Sequence, residues 1–131
     1  MRIVLATAIA LAIAIPVDLA VESLAREAFA VSPDFEPFQG TVAPYTAGGI
    51  VIAAVVFAAT RRLVRDADRV YVRLAAVALV LSWIPDVALL VVRDPGATVP
   101  AVASLMVMHG LAAGIAVTTL LRVAGPARAR S

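Results

Sequence analysis

Four long apolar runs take up almost the whole chain, and no water-soluble fold accommodates them easily. Crossing the hydrocarbon core of a bilayer takes about 20 residues at ~1.5 Å of rise each. The runs predict helices over about 3–21, 44–60, 70–92 and 98–121. Soluble helices of this length carry a polar face. The third run holds only Arg73, Ser82 and Asp86 as strongly polar residues, so no water-facing stripe can be drawn along it. With 63% hydrophobic residues in 131, little material is left for anything else. The expected fold is all-α: a polytopic membrane four-helix bundle forming one domain, 1–131, since either hairpin alone leaves an inner face unpacked.

Composition then excludes several chemistries. The absence of cysteine removes disulfides, thiolate metal sites and cysteine nucleophiles. A formal charge of +2, with arginines gathered at the predicted helix ends, gives no nucleic-acid surface. Arg2 followed by an apolar stretch resembles a signal peptide, with a weak small-residue cleavage site at 23–25. Three further hydrophobic runs favour its retention as the first helix.

Arginine placement orients the bundle. Arg61, Arg62, Arg65, Arg69 and Arg73 cluster in or beside the second connection; Arg2 precedes the first helix, and Arg122, Arg128 and Arg130 follow the last. Cytoplasmic loops collect such residues. Both termini and the second connection are therefore expected in the cytoplasm of a cell membrane, with a flexible tail over 123–131. The acidic first loop (Glu22, Glu27, Asp34, Glu36) should face outward. Its rings, Phe29, Phe35 and Phe38, suit either the headgroup boundary, the simpler expectation, or a cover over the outer mouth of the bundle.

The two halves look alike. Pro16 and Asp18 in the first helix match Pro85 and Asp86 in the third, and Thr41–Pro44 matches Thr98–Pro100 at the openings of the second and fourth. This suggests two parallel-repeated hairpins. Pro16 and Pro85 each free a backbone carbonyl, of Ala12 and Leu81, that needs a partner. Small residues suggest where helices meet: Ala6, Ala10 and Ala14 on the first, Gly48, Gly49 and Ala53 on the second, and the spaced pair Gly110 and Gly114 on the fourth.

Few groups in these runs carry chemistry. Asp18, Asp86 and His109 are expected to converge in the outer half, walled by Ser82, Trp83 and Ser104. An aspartate at the centre of a span costs about 2.5–3.5 kcal/mol on insertion scales and so turns inward. The cluster fits a proton relay or the polar end of a pocket for an amphipathic molecule. It equally fits a structural role, with the aspartates bonding the carbonyls freed by the prolines and His109 bonding across a helix interface. No cofactor and no metal is expected, because one histidine without cysteine is a poor ligand set. No phosphate loop, nucleophile elbow or HExxH helix is present.

Three stretches carry a resemblance: Pro37–Val42 leading into Tyr45–Gly49, Leu79–Asp86 with its Leu-Ser-x-x-Pro pattern, and Leu105–Leu111 with a Met-His pair. Over about 38–122 the chain resembles the small four-helix prokaryotic membrane proteins of domain-of-unknown-function family 6069. The resemblance implies a membrane bundle and marks Ser82, Pro85 and His109, and it implies no activity. The expectation is a non-enzymatic protein that binds a small hydrophobic or amphipathic ligand or serves as an accessory membrane subunit. The alternative is a proton-coupled small-molecule transporter acting as a homodimer. The lipid bilayer, a second copy or a larger membrane complex are the expected partners, and nucleic acid is not.

Overall fold

The computed structural model describes residues 1–125. Four helices follow one another: α1 (Arg2–Phe29), α2 (Val42–Leu63), α3 (Ala67–Val91) and α4 (Val99–Thr119). A short 3₁₀ turn (Glu36–Phe38) lies in the first loop, and a π-helical turn (Leu120–Ala124) extends α4. Each of the four helices is long and apolar enough to cross a membrane. The described residues form an all-α four-helix bundle.

The helix ends differ from the hydropathy boundaries for local reasons. The first helix was expected to stop near 21 but runs to Phe29. Residues 22–29 are mostly good helix formers, and Glu22 and Arg26 bridge one turn at 3.1 Å. Ala30, at φ 49, then ends it in a left-handed cap. Helix α3 stops because Arg93 also turns left-handed (φ 55) and the Asp94 N–H bonds back to the Leu89 carbonyl at 3.0 Å. Thr98 caps α4, its hydroxyl accepting from the Ala101 N–H at 3.3 Å. The expected tail from 123 is still helical through Ala124, and Leu120 beneath it is fully buried. The rest of that tail, 126–131, lies outside the described residues.

Helix α1 is the spine, packing chiefly on α4 and α2. Ala6, Ala10 and Ala14 are each 0% exposed, so the alanine stripe does bring backbones together. Ala10 and Ala14 meet Ile50 and Ala116 in mid-bundle. At the end carrying the N-terminus, Ala6 joins Ala54, Phe57, Tyr71 and Leu120.

The other small-residue faces behave differently. A Cβ placed at Gly48, Gly49, Gly110 or Gly114 would meet nothing within 4 Å. The expectation that these glycines seat a neighbouring helix is therefore wrong within this chain: Gly48 and Gly49 border a void, and Gly114 faces outward.

Helix α3 stands apart. It buries only Ala67, Tyr71 and Asp86. It is fastened to α2 near their connection, where Phe57 and Tyr71 pack edge to face at 5.0 Å and Arg61 bonds Asp68 at 2.7 Å. Val72, Val77, Val80, Leu81, Ile84 and Val87 lie exposed along its outer side.

At the opposite end the first loop folds inward. Phe35 and Phe38 are 0% and 1% exposed, edge to face at 5.1 Å, and pack with Ala25, Val42, Val102 and Met108. The headgroup-boundary expectation holds for neither ring; only Phe29, 59% exposed, points away. Arg26 donates to the Phe38 carbonyl at 2.5 Å and fixes this cover to α1. Gly96 passes so close that a Cβ there would lie 2.7 Å from the Phe35 nitrogen, and its φ of 76° suits glycine alone.

Candidate functional site: a half-open cavity with two buried aspartates

Because α3 is tied to α2 at one end only, a cavity of about 1010 Å³ opens between α2, α3 and α4. Its walls follow from the residue types. Gly48, Gly49, Ala53, Ala75, Ala78 and Ala112 supply little side-chain volume, so the helices leave space where larger residues would fill it. Along α3 it reaches from Tyr71 to Asp86, about 22 Å at 1.5 Å per residue. Tyr45, Ile52 and Leu74 border it and are 76%, 65% and 46% exposed, so it opens sideways between α2 and α3.

The cavity is amphipathic along its length. Asp18, Ser82, Asp86 and His109 line it toward the covered end, together with Thr41, Thr46 and Glu36. Toward the other end the walls are Ile50, Val56, Leu74, Ala116 and Val117, with Tyr71 at the foot. The Tyr71 hydroxyl is buried there without a hydrogen-bond partner among the described residues.

Each aspartate is held by a different helix. Asp18, 2% exposed, accepts a 2.7 Å hydrogen bond at Oδ2 from the Thr46 hydroxyl of α2. Its Oδ1 receives none among the described residues. Asp86, 5% exposed, has Oδ2 at 3.1 Å from His109 Nδ1 on α4. That nitrogen also lies 2.9 Å from the Leu105 carbonyl oxygen one turn back. A carbonyl only accepts, so the Nδ1 proton points along α4 to Leu105. Asp86 Oδ2 gains proximity to the ring but no aligned hydrogen bond. Neither aspartate is hydrogen-bonded to the carbonyls freed by Pro16 and Pro85: Asp18 bonds Thr46, and Asp18 Oδ1 and Asp86 Oδ2 have no partner among the described residues.

Two expected wall residues lie elsewhere. The Trp83 indole N–H donates to the Met106 carbonyl at 3.2 Å and pins α3 to α4 outside the cavity. Ser104, 8% exposed, returns its hydroxyl to the Pro100 carbonyl at 2.8 Å. Ser82 does line the cavity, with its own hydroxyl turned to the Leu79 carbonyl at 2.6 Å. Thr46 was not foreseen. Its place one turn inside α2 was readable, but nothing in the sequence aims it at Asp18. The suggested repeat is not kept in these partners, since Thr46 lies five residues beyond Thr41 and His109 eleven beyond Thr98.

Among the described residues no three carboxylate, imidazole or thiol side chains stand close enough to hold a metal ion. Comparison of the chain with protein-family models, with curated proteins and with solved structures gives no match in any of the three.

Proposed function

We propose that this is an integral protein of a prokaryotic cell membrane, with both termini cytoplasmic, that binds a small hydrophobic or amphipathic molecule without chemically changing it. The carrying observation is the cavity of about 1010 Å³ that brings Asp18, Asp86 and His109 into one wall. Sites for drug-sized molecules run from roughly 300 to 1,000 Å³ and are mostly apolar with a few placed polar groups. The exposed valines, leucines and isoleucine of α3 support lipid as the surrounding solvent, because in water such a face marks an association or aggregation surface. The orientation rests on the arginine distribution, and the prokaryotic membrane bundle on the family resemblance described above.

A structural role for the aspartates predicts that backbone groups cap them, and neither is capped so. A proton-coupled transporter acting as a homodimer is the second reading, favoured by the two carboxylates and the imidazole lining one cavity. The outward, unfilled Gly114 position supports an accessory-subunit role instead.

Native mass spectrometry of protein released from lipid nanodiscs tests the primary reading. The expected result is a co-purifying small molecule that is lost from the Gly49→Leu variant, whose side chain enters open space. An empty parent protein that also fails to take up the neutral hydrophobic probe N-phenyl-1-naphthylamine would overturn it.

A further inference from the structure

We infer that the molecule this cavity takes is a lipophilic cation: a positively charged head set between Asp18 and Asp86, with an apolar body lying along the α2–α3 cleft. The inference rests on the reading of the cavity as a binding site.

Charge is the first reason. The carboxylates that line the cavity are Asp18, Glu36 and Asp86, with His109 beside them, and among the described residues no arginine lines it. Five arginines crowd the connection between α2 and α3 and the start of α3, away from Asp18 and Asp86. An anion would meet repulsion from the buried carboxylates Asp18 and Asp86 in a medium that screens poorly.

The second reason is unmet hydrogen-bonding and ionic capacity. An ionised carboxylate offers about four acceptor sites. Asp18 uses one oxygen, on Thr46, and leaves Oδ1 without a partner among the described residues; Asp86 Oδ2 has only the His109 ring nitrogen beside it, at 3.1 Å and not aligned as a hydrogen bond, and both side chains are more than nine-tenths buried. Burying a carboxylate without enough partners is costly, and a ligand with no positive charge and no donor would leave that cost in place. A cationic head removes it, and is held from four helices and the first loop: Asp18 on α1, Thr46 on α2, Asp86 on α3, His109 on α4, and Glu36.

Shape and access are the third. The acidic groups occupy one end only, so the occupant needs a charged end and a long apolar remainder. Tyr45, next to Thr46, borders the charged end, and an aromatic ring there suits a cation. The sideways opening past Tyr45, Ile52 and Leu74 admits a molecule already dissolved in lipid.

The test measures saturable binding to protein in zwitterionic nanodiscs, using tetraphenylphosphonium and tetraphenylborate, which share size and shape but differ in the sign of charge. The cation should bind and the anion should not. Asp18→Asn and Asp86→Asn, each preserving side-chain shape, should weaken cation binding at least tenfold, and Gly49→Leu should abolish it. Monodispersity and helical circular dichroism of each variant establish folding, and Gly49→Leu keeps the test open if an asparagine variant fails to fold. Equal binding of the two ions, or cation binding unchanged in both asparagine variants, overturns the inference. If N-phenyl-1-naphthylamine binds and is excluded by Gly49→Leu while the cation does not bind, the cavity remains a binding site and only its charge preference is lost. If no probe binds, both readings fall.

Discussion

Small residues on α1 and α4 look interchangeable in sequence, yet substitution should shift stability in opposite directions. Ala10 is 0% exposed and packs with Ala14, Ile50 and Ala116. Ala10→Leu adds three carbon atoms where no space exists. Overpacking of this kind costs about 1–3 kcal/mol, while the change in helix propensity is only about 0.2 kcal/mol. Gly114 lies inside α4, and a Cβ there meets nothing within 4 Å. Gly114→Ala therefore recovers only the backbone term, about 0.5–1 kcal/mol of stabilisation. The two variants should be separated by about 1.5–4 kcal/mol, or at least about tenfold in unfolding constant. Sodium dodecyl sulfate titration in mixed micelles, followed by far-ultraviolet circular dichroism and Trp83 fluorescence, reads the difference. A neutral Ala10→Leu would refute the close α1 packing. A destabilising Gly114→Ala would show that this glycine seats a helix from another chain.

Three further outcomes follow from single contacts. Thr46→Val removes the one hydrogen bond to Asp18 and should cost about 1–3 kcal/mol in the same titration, with the effect largely gone in an Asp18→Leu, Thr46→Val cycle that removes the acceptor. Phe38→Ala empties a site that is 1% exposed, should cost about 3–5 kcal/mol, and should expose the 30–41 loop to added protease while the helices stay protected. Gly96→Ala forces a side chain to within 3.0 Å of Phe35 backbone atoms at a positive φ, and should lower the melting temperature measurably, whereas the same change at Gly110 should not.

Much of the architecture was legible because bilayer thickness and apolar run length speak the same language. The four helices, the alanine stripe of α1 and the inward turn of Asp18 and Asp86 all follow from composition and period. Helix ends were less legible: hydropathy marked residue 21, while Glu22, Arg26 and the left-handed Ala30 set the true end of α1 at Phe29. Phe35 and Phe38 could not be placed, since an amphipathic ring satisfies a headgroup boundary and a bundle mouth equally well.

The sequence by itself determined which residues share a helix face, because the period of 3.6 is a local property of the backbone. Only the tertiary structure decided what each face meets. The face of Ala10 meets two helices, while that of Gly49 borders open space, because α3 is fastened to α2 near their connection and stands away from it above. That splay joins Asp18, Thr46, Asp86 and His109 in one wall and leaves Trp83 and Ser104 outside it. Helix crossing is set by packing summed over whole interfaces, and no single run of residues encodes it.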